Sequence, residues 1–451
     1  MTYFITHRKT IAVYSIVVLL SLTAAFINGF PFSYMDLGTY IDSGFRGYAP
    51  TDRPVFYGWF LRHISLSRYL FLVIGAQAFF ACWLMRDLIK NFVKPEHVNL
   101  VFILVILLLV TTTSYSVVVS LLIPDIFSAL SYLVLVNLLW STNRPAFVRV
   151  CYYVAFVFFI ITQNASILSF MLVVPCLLLV FWFKKDLLRI RISVKVLLSI
   201  LVSLLLIMGH NYVSTGKARL SASSHVFIMS RFIEFGLVQD YLHTNCDKKN
   251  YRICAYKDSL QWDFIFNKNS VVFKTGGWEA NKEEYNTIIK DMLFSKKYGP
   301  AILLKTTEGA LKQLYTFDAY VGTPLLQGTP PYAQIKWRFD NELKRYESSK
   351  QNRGTFDVTR LNQVQVVIVV ISLIVLSIGV VSNHSALFSV KGPVIILLFY
   401  MVVNAFVVSF FSTVDPRYQT RTIWLLPFFA LLVGYDWYRS RRNTSRVIEN
   451  K

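Results

Sequence analysis

The chain has 451 residues, 55% of them hydrophobic and only 16% charged, with a mean hydropathy of +0.49. Soluble domains carry about 25% charged residues, so an ordinary soluble enzyme is excluded. The formal net charge of +21 would suit nucleic acid, but the apolar residues fall in runs of roughly 18–22, the length that crosses a ~30 Å hydrocarbon core, and no nucleic-acid partner is expected.

Taken in chain order, the runs predict about ten transmembrane helices, at 10–29, 69–88, 98–114, 122–140, 147–162, 167–183, 193–209, 362–382, 393–411 and 422–436. The expected fold is therefore an all-α polytopic membrane protein. The run QVVIVVISLIVLSIGVV is rich in β-branched residues and would read as a strand in water. In lipid every backbone polar group must be satisfied within the segment, which makes it a helix. The first run follows His7-Arg8-Lys9 like a signal peptide, but it continues through residue 29 with no small-residue cleavage site and is read as retained.

Charge sets the expected orientation. With the N-terminus inside, the segments 1–9, 86–97, 141–149, 184–195, 382–391 and 436–451 carry thirteen of the twenty-one net positive charges. KKDLLRIRISVK and YRSRRNTSR are the strongest anchors. Short cytoplasmic loops are the ones enriched in Lys and Arg, so both termini are expected on the cytoplasmic face of the cytoplasmic (inner) membrane. Three regions follow: helices one to seven with an outside loop at 30–68 (residues 1–209), a mainly α extracytoplasmic domain (210–361), and helices eight to ten with a basic cytoplasmic tail (362–451).

The outside loop 30–68 mixes aromatic residues with Asp36, Asp52-Arg53-Pro54 and His63, and its composition suits short helices lying in the interface. Asp125 opens the fourth span after Pro124. A carboxylate there either faces a cavity, since burial in lipid costs ~2.5–3.5 kcal/mol, or simply caps the helix. Asp36 reads as a site acid or a solvated loop acid. Lys217 and Arg219 follow the seventh span, and Asp415-Pro416-Arg417-Tyr418 joins the ninth and tenth, with Arg421 just beyond. Basic residues at this level either snorkel to headgroups or gather on a phosphate, which Arg can grip with two bonds. Asp415 is a cap or a partner of Arg417.

Within 210–361, amphipathic stretches lie near 222–243 and 298–315, with turns at Gly276-Gly277, Gly322-Thr323-Pro324 and Thr329-Pro330-Pro331. Cys246 and Cys254, in NCDKKNYRIC, are expected to form a disulfide in an oxidising compartment rather than stay free thiols. A metal site there lacks a second Cys pair.

In this order and sidedness, Asp36, Asp52-Arg53-Pro54-Val55-Phe56-Tyr57, Pro124-Asp125 and Asp415 to Tyr418 resemble the motifs of the GT-C superfamily of integral-membrane glycosyltransferases. The resemblance covers roughly half of the chain. It implies transfer of a sugar from a polyprenyl-phosphate donor to a glycan, lipid or protein acceptor at the outer face of the bilayer. It implies Asp36 as general base, Asp125 positioning the acceptor or a metal, and Arg53, Arg417, Tyr418, Lys217 and Arg219 at the donor phosphate. A divalent cofactor such as Mg or Mn is left open, because this chain has Asp-Arg-Pro and an isolated Asp36 where many members have His-Pro-Pro or paired acids. An outer-leaflet polysaccharide polymerase or ligase would use the same groups. A transporter would show mid-span charges or an inverted repeat, which this chain lacks, and a non-catalytic envelope-assembly protein is the remaining alternative.

Overall fold

The computed structural model describes the backbone of residues 2–141, 143–261, 263–265, 267, 269–381 and 388–449, and their side chains except at 2–8, 388–389 and 440–449. The expected cytoplasmic connection at 382–391 therefore lies largely outside the described residues, as do the basic side chains of positions 8, 441, 442 and 446.

Helices account for the architecture, and the extended pairing among the described residues is one parallel bridge between Phe32 and Leu121. The chain begins with α1 (Thr2–Ser21) and α2 (Thr23–Asn28). Two short helices follow, α3 (Asp36–Arg46) and α4 (Phe56–Ile64). The next group is α5 (Phe71–Phe92), α6 (Val98–Thr112), α7 (Tyr115–Val119), α8 (Asp125–Trp140), α9 (Ala146–Ile161), α10 (Asn164–Phe183) and α11 (Leu187–Thr215). Then come α12 (Ser224–Glu234), α13 (Leu237–Asn245), α14 (Val271–Lys274), α15 (Gly277–Ala280), α16 (Lys282–Leu293), α17 (Tyr298–Tyr315), α18 (Pro330–Arg338) and α19 (Asp340–Glu347). The chain closes with α20 (Thr359–Val381), α21 (Phe388–Phe411), α22 (Pro416–Ile423) and α23 (Leu425–Glu449).

Among the described residues, six helical stretches are long and apolar enough to cross a bilayer: Phe71–Phe92, Pro95–Thr112, Asn164–Phe183, Leu187–Thr215, Thr359–Val381 and Val390–Phe411. This fits an all-α, multi-pass membrane protein. The remaining expected spans fall on α1–α2, α8, α9 and α23, and the apolar helices Lys9–Ser21, Asp125–Trp140 and Ala146–Ile161 are shorter.

Helix α8 is the axis of the bundle. It is buried from Asp125 to Leu139, as expected of a helix that is apolar all round. Lipid gives helices no hydrophobic reason to associate, so packing and interhelical hydrogen bonds hold them. The Tyr132 hydroxyl donates to the Pro393 carbonyl at 2.6 Å and the Tyr400 hydroxyl to the Ser128 carbonyl at 3.1 Å, tying α8 to α21. The Asn137 amide donates to the Leu84 carbonyl of α5 at 3.1 Å. With 16 residues, α8 is ~24 Å long, shorter than a ~30 Å core.

Residues 113–124, which precede α8, are buried and, apart from α7, non-helical. Irregular backbone at this depth needs protein partners, and it has them. The Gln77 amide donates to the carbonyls of Val119 and Leu121 at 2.8 and 3.0 Å. The Ser114 N–H donates to Gln365 at 2.6 Å. Phe32 donates to the Ser120 carbonyl and accepts from Leu122 N–H, both at 2.9 Å. The expected third and fourth spans, 98–114 and 122–140, took in both ends of this stretch.

Residues 210–361 divide between two bodies. Val226, Phe232, Leu242, Val272, Tyr285, Ile288 and Ile302 belong to a core of their own. Cys246 and Cys254 are disulfide-bonded on its edge. By contrast Val321, Leu325, Ile335, Phe339 and Tyr346 pack into the core of the bundle. That second part roofs the bundle: the Glu342 carboxylate accepts from Leu70 N–H at 2.7 Å, and Gln351 exchanges hydrogen bonds with the backbone of Ser33.

Candidate functional site

Four of the acids and arginines singled out in the sequence meet at one end of α8. The bridge between Phe32 and Leu121 brings two strips of chain side by side. Asp36 follows four residues after one and Asp125 four residues after the other. Asp36 is the first residue of α3 and Asp125 the first of α8, so each carboxylate sits near a helix N-terminus, where negative charge is favoured.

Close backbone contact fixes α3. A side chain on Gly44 would stand 2.2 Å from the carbonyl oxygen of Gly58 in α4, and one on Gly38 would stand 2.6 Å from Pro330 of α18. Only hydrogen fits at these positions, so α3 is clamped between α4 and the roof. The loop between α3 and α4 then carries Asp52 and Arg53 back over Asp36.

Arg417 is the hub. Its Nη1 donates to Asp36 Oδ2 at 3.0 Å, its Nε to Asp125 Oδ2 at 2.5 Å and its Nη2 to Asp125 Oδ1 at 3.3 Å. Its guanidinium also lies over the Tyr34 ring, 4.9 Å from the centroid. The Asp415 carboxylate caps α22 by accepting from the Arg417 backbone N–H at 2.8 Å, which aims the Arg417 side chain. Asp415 thus turns out to be a cap. Asp125 does not: the cap position is Pro124, and the Asp125 carboxylate is spent on Arg417 and on the Gln163 amide at 2.7 Å.

Arg53 completes the cluster. It pairs with Asp52 and stands 3.1 Å from Asp36 Oδ1, with its guanidinium 5.1 Å from the centre of the Tyr40 ring. Burial on its own would push the Asp36 carboxyl up, but the Arg417 and Arg53 guanidiniums outweigh it and hold the group at about 2. The same pairing raises the pKa of Arg417 and of Arg53 against the effect of burial. The two carboxylates differ in access: the Asp125 side chain is 2% exposed and the Asp36 side chain 26%.

Four participants were not picked out by sequence reasoning. Gln163 bonds Asp125 and accepts from Arg421 Nη1 at 3.1 Å. Asn404, inside α21, accepts from Arg421 Nη2 at 2.9 Å. Tyr34 and Tyr40 supply the rings under the guanidiniums. The one available signal was polarity out of place: Gln163-Asn164 between two apolar helices, and Asn404 within an otherwise apolar one. Arg421, noted only as an interface cation, is 2% exposed.

The remaining expected residues lie further out. The Tyr418 hydroxyl pairs with Ser412 at 2.7 Å and its ring lies under Arg421; it does not touch the carboxylates. Lys217 and Arg219 bind Glu279 at 2.7 and 3.3 Å. Arg219 nonetheless shares a narrow cleft with Arg53, lined also by Asn164, Asn211, Thr215 and Ser221.

Among the described residues no three His, Cys, Asp or Glu side chains gather as a metal would need. The oxygens of Asp36 and Asp125 are turned to guanidiniums and to Gln163. This donor set does not fit Mg or Mn, which take about six oxygen ligands. No family model, curated protein or solved structure matches this chain.

Proposed function

We propose that the chain is a membrane glycosyltransferase that moves a sugar from a polyprenyl-phosphate donor to a glycan, lipid or protein acceptor. Both termini lie on the cytoplasmic face of the cytoplasmic membrane, and the reaction takes place at the outer face. The observation that supports this reading is Arg417 joining Asp36 to Asp125 across 381 and 292 positions of sequence. Such a junction supports reading Asp36 as a proton acceptor and the guanidiniums as phosphate-binding groups of one reacting centre.

The roles follow from exposure and charge. Asp36 is the accessible carboxylate and takes the proton of the acceptor hydroxyl. That oxygen attacks the anomeric carbon, and the bond to the donor phosphate breaks with its electron pair leaving on the phosphate oxygen. Arg53 and Arg417 meet the charge that develops there, where fixed donors in a dry site are most effective. Asp125, with Gln163, holds Arg417. A carboxylate held at about 2 is a weak base. Donor phosphate competing for the two guanidiniums raises it, so proton removal is coupled to donor binding.

The test is transfer of labelled sugar in proteoliposomes from a panel of polyprenyl-phosphate-linked hexoses and pentoses. Asp36→Asn and Arg417→Gln should each lower the rate by roughly 10²-fold or more. Full transfer by a folded, membrane-inserted D36N protein would sink the assignment.

A further inference from the structure

We propose that an anionic diacyl phospholipid binds between α9 and α11, at the end of the bundle opposite the carboxylate–guanidinium cluster. The direction of the helices places this end. Helix α8 leaves the cluster at Asp125 and ends at Trp140, and α9 starts six residues later; α10 leaves from Asn164, beside Gln163, and α11 starts after its far end. The first turns of α9 and α11 therefore lie together, away from Asp36 and Arg417.

A cavity of about 470 Å³ opens between these turns. Arg149 on α9 and Arg191 and Lys195 on α11 line it, and no acidic residue does. Two acids beside the ends of these helices are already engaged: Asp87 with Lys90 and Arg144, Asp186 with Arg189. Three cations drawn from two helices thus face one space without a counter-charge among the described residues. The positive ends of two parallel helices point the same way.

The walls select a lipid over a free anion. Leu138, Ala146, Val150, Tyr153, Leu188 and Ile192 form the rest of the lining. Val150 and Leu188 are 56% and 51% exposed, on helices apolar enough for lipid. Isolated snorkelling would spread the cations around the bundle, whereas here they converge. Basic pockets between helices at a membrane face are the expected form of an acidic-headgroup site. Arginine adds two-bond recognition of a phosphate that lysine lacks.

The experiment uses the full chain in detergent, with phosphatidylglycerol or phosphatidylcholine added and retained lipid counted by native mass spectrometry. Phosphatidylglycerol should be retained about tenfold or more over phosphatidylcholine, and excess inorganic phosphate should not displace it. The R149Q/R191Q/K195Q protein should lose that preference, and the single variants should each lower it by about fivefold. A K184Q/K185Q control, which removes neighbouring charge outside the cavity, should keep it. Equal retention of the two lipids, or a preference that survives the triple and single changes, overturns the proposal. Displacement by inorganic phosphate overturns it in favour of a free-anion site.

Discussion

Replacing Arg417 with Gln removes one guanidinium and leaves two carboxylates. Asp125 loses the bonds at 2.5 and 3.3 Å and Asp36 loses the one at 3.0 Å. Asp36 still has Arg53, 3.1 Å away, and is partly exposed. Asp125 keeps only the Gln163 amide in a site where its side chain is 2% exposed. The cost is therefore dominated by one uncompensated buried charge, about 3–5 kcal/mol. Neutralising that charge should recover much of it. In R417Q/D125N the buried group is an amide that Gln163 can still hold, so the double variant should be more stable than the two single losses add up to, by about 2 kcal/mol. Denaturant unfolding in mild detergent micelles, followed by far-UV circular dichroism, measures all four proteins. A loss under ~1 kcal/mol for R417Q, or losses that simply add in the double variant, would refute the idea that Arg417 is the counterion of Asp125.

Acid should act through Asp36. Its folded pKa of about 2 lies below its ordinary 3.8, so its contribution is complete above the ordinary value and is lost as the pH falls through the folded one. The wild-type protein should therefore give up about 2 kcal/mol between about pH 4 and about pH 2, a step that D36N should lack when unfolding is followed across that range. Gly44→Leu has no room, since its Cβ would fall 2.2 Å from a backbone oxygen of α4; a loss of about 3 kcal/mol is expected. Gly75→Leu, at an open position of α5, should be nearly neutral in the same denaturant unfolding. Replacing Cys246 and Cys254 by Ser opens a short loop and should cost about 2.5 kcal/mol within the α12–α17 body. Limited proteolysis should then cut between residues 246 and 254 while the bundle melts as before.

Much of the fold was legible because lipid makes a long apolar run and a helix nearly the same statement. The ten expected segments all fall on helices, and the short helices expected within 30–68 are α3 and α4. What composition could not show was depth. Residues 115–121 fall between the expected third and fourth spans, yet the whole stretch 113–124 is buried, because Gln77, Gln365 and Phe32 bond its backbone from distant parts of the chain. Nor could it show that 210–361 is two bodies. The stretch around Tyr346 joins the bundle core through contacts such as Phe30, whose ring centre is 5.4 Å away, and no periodicity encodes such a partner. The site was half legible. Charged residues at span ends stand out against an apolar background, which found Asp36, Arg53, Asp125 and Arg417. Gln163 and Asn404 carry no charge, and polarity against an apolar background is a weaker signal than charge until the fold brings them to Arg421.

Two buried ionic clusters stand out among the described residues of this bundle, and their construction separates them. Asp87 is bound by Lys90, Arg144 and Tyr152, residues of α5, α9 and the turn before α9. That cluster ties neighbouring segments, and an apolar replacement of similar volume would do the same at little or no loss of stability. The cluster at Arg417 draws on α3, the loop before α4, α8, the turn before α10, α21 and α22. The helix of its accessible carboxylate is clamped by glycine contacts on two sides, and one of its guanidiniums, Arg53, lines a cleft shared with Arg219. Structural ion pairs do not need a precisely held, partly exposed acid beside a cation-lined opening. Replacing Asp87 and its partners with well-packed apolar residues should therefore leave function intact, whereas no apolar substitution at Asp36 should do so, even where the protein remains folded.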